Sequence, residues 1–219
     1  MADYLSDEEQ VAALRKWWEE NGTFLIIAVL VVAGGVFSWR WYQDYSRTRE
    51  EAASKVYEEY LELRAGLAES DDAAKRQAQL LDQLDEDYAD TSYETFTLFY
   101  RASDALAKED VEQAEGFLRR ALEQAPTEEL VDLSRTRLAR VLEQGGNADA
   151  ALTLLAQVTS PGYVSIAAEL KGDILKARGD ISQARSAYEV AVASINENDN
   201  RPILKMKLAN LATLNESNP

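Results

Sequence analysis

The sequence predicts an all-α chain: a single N-terminal transmembrane helix followed by a helical-repeat solenoid. Three observations carry that prediction. Residues Thr23–Trp39 contain no charge over seventeen positions. From Thr48 onward, apolar residues recur at helical spacing, with no sustained period-two alternation to mark a sheet. Three helix-pair segments superimpose at offsets of 37 and 33 residues. The 219 residues therefore divide into an amphipathic segment at 1–22, a transmembrane helix at 23–42 and a helical-repeat domain at 43–219.

Residues 7–20 place Val11, Leu14 and Trp18 on one helical stripe with Trp17 at its edge, and Ser6 or Asp7 can cap the helix with Glu9 completing a capping box. Asn21-Gly22 predicts a break before the anchor. The apolar run reaches roughly 25 Å as a helix, against a hydrocarbon core of about 30 Å. Trp17, Trp18, Trp39, Trp41 and Tyr42 supply interfacial rings at its two ends, and Arg40 can snorkel. Gly34 and Gly35 form a flat candidate docking face for another membrane helix. A buried core helix fits poorly with so uniformly apolar a run. A cleaved leader fits poorly with six acidic residues against Arg15 and Lys16. An uncleaved signal-anchor is the reading. Basic residues near the anchor number two before it and four after it (Arg40, Arg47, Arg49, Lys55), a bias toward a cytoplasmic C-terminal domain.

The net charge is −16. Residues 1–49 hold 5 basic and 7 acidic side chains, leaving 18 and 32 for residues 50–219. Such a domain is repelled by phosphate backbones, so nucleic acid is not an expected partner. The chain has no Cys and no His. That excludes disulfides, thiolate metal sites and thiol catalysis, and removes the commonest general base near neutral pH. The acidic runs Asp85–Asp87 and Glu128-Glu129 place neighbouring carboxylates on diverging sides of a helix, a solvated surface. No catalytic, cofactor-binding or metal-binding residue is predicted, and the chain reads as a non-enzyme.

The helices follow in order. Residues 49–69 carry Ala53, Val56, Tyr57, Tyr60, Leu61 and Leu63 on a broad apolar side. Ser70-Asp71-Asp72 starts the next, with Ala78, Leu81 and Leu84 inward. Further helices are expected at about 92–108, 111–125 (stopped by Pro126), 128–144, 148–158, 163–178 and 181–195. Residues 199–202 punctuate, and a closing helix at 203–214 caps the stack through Leu204, Leu208 and Leu211.

The superimposed segments share a turn residue (Asp110, Asn147, Asp180) and, four positions on, an Ala (Ala114, Ala151, Ala184). A larger residue follows (Leu118, Leu155, Tyr188), and a small one stands twelve positions before each Ala (Ala102, Ala139, Gly172). Antiparallel helices approach closely only where small side chains face each other, so these six small residues are the expected packing contacts. The spacing brackets the roughly 34-residue period of tetratricopeptide repeats. A solenoid of this kind presents a concave surface and no catalytic pocket by default. Tyr88, Tyr93, Phe96, Phe99 and Tyr100 are the densest aromatic cluster, mostly expected as core, with Tyr93, Phe96 and Tyr100 as candidate groove aromatics.

The order of elements resembles the YfgM family, the tetratricopeptide-like ancillary subunit of the bacterial SecYEG translocon. The likeness is closest in EEQVAALRKWWEENG, in the anchor exit GGVFSWRWYQ, and in AAELKGDILKARGDISQARSAYEVAVAS at residues 167–194. It implies a bacterial inner-membrane, single-pass protein with a cytoplasmic N-terminus and a periplasmic domain, opposite to the charge bias. The partners it implies are the SecYEG channel, the periplasmic chaperone PpiD and translocating polypeptides. A generic anchored scaffold for another envelope complex is the alternative, because the repeat alone serves many partners.

Overall fold

The computed structural model describes residues 7–66, 70–195 and 200–216, and among these it contains nine α-helices and no strand. Residues 1–49 and 50–219 form two compact units. Helix α1 (Asp7–Ala65) runs through both. The second unit continues with α2 (Asp71–Asp87), α3 (Ser92–Ala107), α4 (Val111–Gln124), α5 (Glu128–Gln144), α6 (Ala148–Leu155), α7 (Pro161–Ala177), α8 (Ile181–Ala193) and α9 (Pro202–Glu216).

In the first unit α1 carries the one stretch among the described residues that is long and apolar enough to cross a membrane. Its large apolar side chains are exposed: Phe24 is 76% exposed and Phe37 75%. Water would oppose so much bare apolar surface, whereas lipid would cover it. The break expected at Asn21-Gly22 is absent. Gly22 keeps a helical backbone and seats the Trp18 indole, where an added Cβ would stand 3.1 Å from the ring. The Asn21 amide donates back to the Trp17 carbonyl at 3.1 Å, so neither residue is used for a turn. The proposed Ser6 cap lies outside the described residues.

The second unit is built from helix pairs α3–α4, α5–α6 and α7–α8. Five helices are capped by a side chain that accepts from the third residue's N–H: Ser70, Thr91, Asp110, Thr127 and Asn147. The turns inside the pairs are one motif used three times. Asp110, Asn147 and Asp180 donate their N–H to Ala105, Leu142 and Leu175 carbonyls at 2.8–2.9 Å. The residue before each takes positive φ: Glu109 at 61°, Gly146 at 83° and Gly179 at 86°. This is the Schellman ending, joined without a spacer to the cap of the following helix.

Ala102, Ala114, Ala139, Ala151 and Ala184 are buried, and Gly172 lies beneath the Tyr188 ring. One apolar core runs from Leu98 through Leu118, Leu138 and Leu155 to Ile174. A second joins Leu175 and Tyr188 to Leu204 and Leu211 of α9, with Leu208 against it. In α2 the buried residues are Leu80 and Leu84, while Ala78 is exposed and Leu81 half-buried. The Ser70 cap sets the start of that helix, and its inward stripe is Ala73, Gln77, Leu80 and Leu84. Helix α1 ends at Ala65, and residues 67–69 of the expected helix lie outside the described residues.

Two fully buried carboxylates differ in their partners. Asp132 accepts from the backbone N–H groups of Thr159 (2.9 Å) and Ser160 (2.7 Å) and from Arg135 (2.7 Å). Burial alone would raise its pKa, but the Ser160 amide and Arg135 outweigh that and hold it below the usual carboxylate range. Glu94 makes no hydrogen bond through either carboxylate oxygen. Arg120, which pairs with Asp85, stands 3.8 Å from it. Burial pushes Glu94 up to about 7, with the Asp85 charge acting in the same direction.

Candidate interaction groove

The first helices of the pairs, α3 and α5, and the end of α1 supply an aromatic groove in the second unit. Phe96, Tyr100 and Ser103 recur at i, i+4 and i+7, so α3 presents them on one face. With Tyr57, Phe99 and Arg137 they line a groove of about 260 Å³. Tyr93 stands behind that lining, its ring 5.3 Å from Tyr57 and edge-on to Phe96 at 6.4 Å. Tyr60 backs Tyr100 at 6.4 Å. Offset and tilted rings at these separations attract and stiffen the wall.

Charge is placed at the edges of this wall. Arg64 grips Asp104 with two hydrogen bonds of 2.6 and 2.5 Å and lies 4.9 Å from the Tyr100 ring centroid. Arg137 lies over Phe99 at 4.1 Å. Desolvation by its surroundings lowers the Arg137 guanidinium below its usual value, and the Arg140 charge acts the same way. Arg140 lines a second pocket of about 260 Å³ with Ile166 and Leu170. There Lys207 pairs with Glu169 at 2.8 Å and with Asp173 at 2.7 Å, and Arg201 pairs with Glu169, fastening α9 to α7.

Of the three aromatics singled out by sequence, Phe96 and Tyr100 line the groove and Tyr93 supports it. Gly34 and Gly35 are exposed on α1, where an added Cβ would meet nothing within 4 Å among the described residues. Sequence reasoning missed Tyr57, Ser103 and Arg137. A signal existed: the 37-residue offset that carries Ala102 onto Ala139 also carries Tyr100 onto Arg137 and Ser103 onto Arg140. Among the described residues no group of three or more acidic side chains is arranged to hold a metal ion.

Comparison with known proteins places this architecture. The tetratricopeptide repeat-like domain family matches residues 15–213. An ancillary SecYEG translocon subunit of Haemophilus influenzae is 33% identical over 96% of this chain and its own full length. One from Escherichia coli K12 is 29% identical over 97% of this chain, and one from Neisseria gonorrhoeae 23% over 96%, each along its full length. End-to-end likeness of anchor and repeats together means that the chain belongs to the tetratricopeptide-like family of ancillary SecYEG translocon subunits.

Proposed function

We propose that this protein is a non-enzymatic, inner-membrane accessory subunit of the Sec translocon. Residues 23–42 span the membrane with the N-terminus in the cytoplasm. The repeat domain lies in the periplasm and engages the channel, the chaperone PpiD and translocating polypeptides. The observation that supports this best is the continuous likeness to ancillary translocon subunits from the exposed apolar run through the last repeat. Gly34 and Gly35 suit a helix-docking role because an added Cβ at either meets nothing within 4 Å among the described residues. The aromatic groove suits protein recognition, since rings bury much area at small entropy cost.

Mild-detergent affinity purification of the full-length protein from its native membranes tests the reading. The native form should recover the Sec channel and PpiD. A version with residues 23–42 replaced by an unrelated membrane helix should lose the channel, and Gly34→Leu/Gly35→Leu should weaken it with the domain still folded. Recovery of unrelated envelope proteins in place of the channel would overturn the function, and recovery of cytoplasmic proteins would overturn the orientation as well.

A further inference from the structure

We propose that the groove between α3 and α5 binds a peptide segment of a partner protein in which an Asp or Glu side chain sits beside an apolar one. The carboxylate lies on Arg137 and Arg140, and the apolar side chain lies among Phe96, Tyr100 and Tyr57. This deepens the reading of the groove as an interaction surface, and it does not depend on which membrane complex the anchor joins.

The distribution of cations carries the argument. Residues 50–219 contain eleven arginines. Nine of them lie within 4.0 Å of a carboxylate. That outcome is expected in a unit with 32 acidic side chains and only 18 basic ones. Among the described residues, Arg137 and Arg140 are the two arginines of this unit without such a partner. They stand one turn apart on α5, and both are exposed. Like charges at this spacing repel on a helix, and although the Phe99 ring holds Arg137, no described carboxylate offsets the repulsion. An external anion would relieve both.

The geometry specifies the anion's carrier. Arg137 lies on the Phe99 face at 4.1 Å, which restricts its planar fork and suits it to grip a carboxylate through two hydrogen bonds. The lining around it includes four aromatic rings, Tyr57, Phe96, Phe99 and Tyr100, so the ligand must bring an apolar group with its charge. Nucleic acid fails because an extended polyanion is repelled by the whole acidic domain, whereas a single carboxylate needs only this local cationic pair. Arg137 lines the aromatic pocket and Arg140, one turn on, lines the second, so the cationic pair links two pockets. In the second, Glu169 and Asp173 are already engaged by Arg201 and Lys207. A chain that fills both carries its charge in its interior rather than at its end.

The test is fluorescence anisotropy on the purified full-length protein in detergent, with a labelled, end-blocked peptide of Leu and Ser carrying one central Asp beside a Leu. The same peptide with that Asp changed to Asn, blocked or with a free C-terminus, serves for comparison. The Asp peptide should bind at least about tenfold tighter than the blocked Asn peptide. Arg137→Gln/Arg140→Gln should abolish that preference, with the fold checked by circular dichroism. Arg119→Gln/Arg185→Gln removes the same charge from exposed ion-paired positions and should leave the preference intact. Equal binding of the Asp and Asn peptides to the unmodified protein would overturn the proposal, whatever the variants do. So would no binding of the Asp peptide, survival of the preference without Arg137 and Arg140, or binding that requires a free C-terminus. The assay contains no channel, so its failure leaves the translocon reading standing, and loss of channel recovery leaves the groove proposal standing.

Discussion

Where α3 crosses α4 the small residue is Ala102, and the large residue at the matching position of α4 is Leu118. Where α7 crosses α8 those positions hold Gly172 and Tyr188. Both crossings are fully packed, yet they are specified differently. The third pair gains a buried ring whose hydroxyl donates to Asp173 at 2.8 Å, and gives up a methyl group to admit it. Its turn uses Gly179, which takes positive φ without steric cost, where the first pair uses Glu109. The first pair also keeps Glu94 buried without a hydrogen bond. The two pairs therefore teach that one repeat geometry tolerates different local costs. The pair that carries them also walls the groove.

The largest effect should come from restoring the missing methyl. A Cβ at Gly172 would stand 3.0 Å from Tyr188 Cζ and closer still to Cε1 and Cδ1. The ring cannot retreat, because Tyr188 is fully buried and its hydroxyl is held. Alanine in a helix normally gains up to ~1 kcal/mol over glycine. Here the overlap wins, and Gly172→Ala should lower stability by about 3 kcal/mol in chemical denaturation. Tyr188→Leu copies the first pair and should recover part of that loss in the double variant. Additive losses would show that the two crossings do not share one geometry.

How legible these features were follows from their range along the chain. Caps such as Ser70 and the small residues at the crossings are local or periodic, so a 37- or 33-residue comparison finds them. The Asn21-Gly22 signal misled, because an aromatic four residues earlier uses the glycine as a seat. In α2, Ala78 and Leu81 make a tidy stripe on paper, but the helix rolls to bury Leu80 against its neighbours. The groove needed information from three helices. Phe96 and Tyr100 stand out by aromatic density, whereas Arg137 is one charge among many until the structure shows which arginines are paired.

A middle-sized effect should follow from Glu94. Its folded pKa of about 7 lies above the ordinary carboxylate value, so the folded state holds a proton that the unfolded state releases. Stability from this group is therefore complete below the unfolded pKa and falls as pH rises through about 7. The shift, in which the charges of Arg101 and Arg120 already oppose burial, corresponds to a contribution of at most about 3 kcal/mol. Glu94→Gln keeps the shape of the protonated acid. It should raise the melting temperature above pH 7 and flatten the pH dependence of stability between about pH 5 and 7, with little change below. An unchanged pH profile would mean that Arg120 turns toward Glu94 in solution and pairs with it.

The smallest effect tests the turn. Glu109 holds φ at 61° where the later pairs have glycine, and its side chain is exposed. A left-handed conformation costs a residue with a Cβ roughly 1–2 kcal/mol, while glycine adds conformational entropy to the unfolded chain. The first term should win, and Glu109→Gly should stabilise the domain by about 0.5–1 kcal/mol. Gly146→Ala and Gly179→Ala should each destabilise by a similar amount, because an added Cβ meets nothing within 4 Å at either position and the backbone is all that changes. If Glu109→Gly instead weakens the fold, the carboxylate is contributing more than its conformation costs. The three turns would then be alike in hydrogen bonding and unlike in what stabilises them.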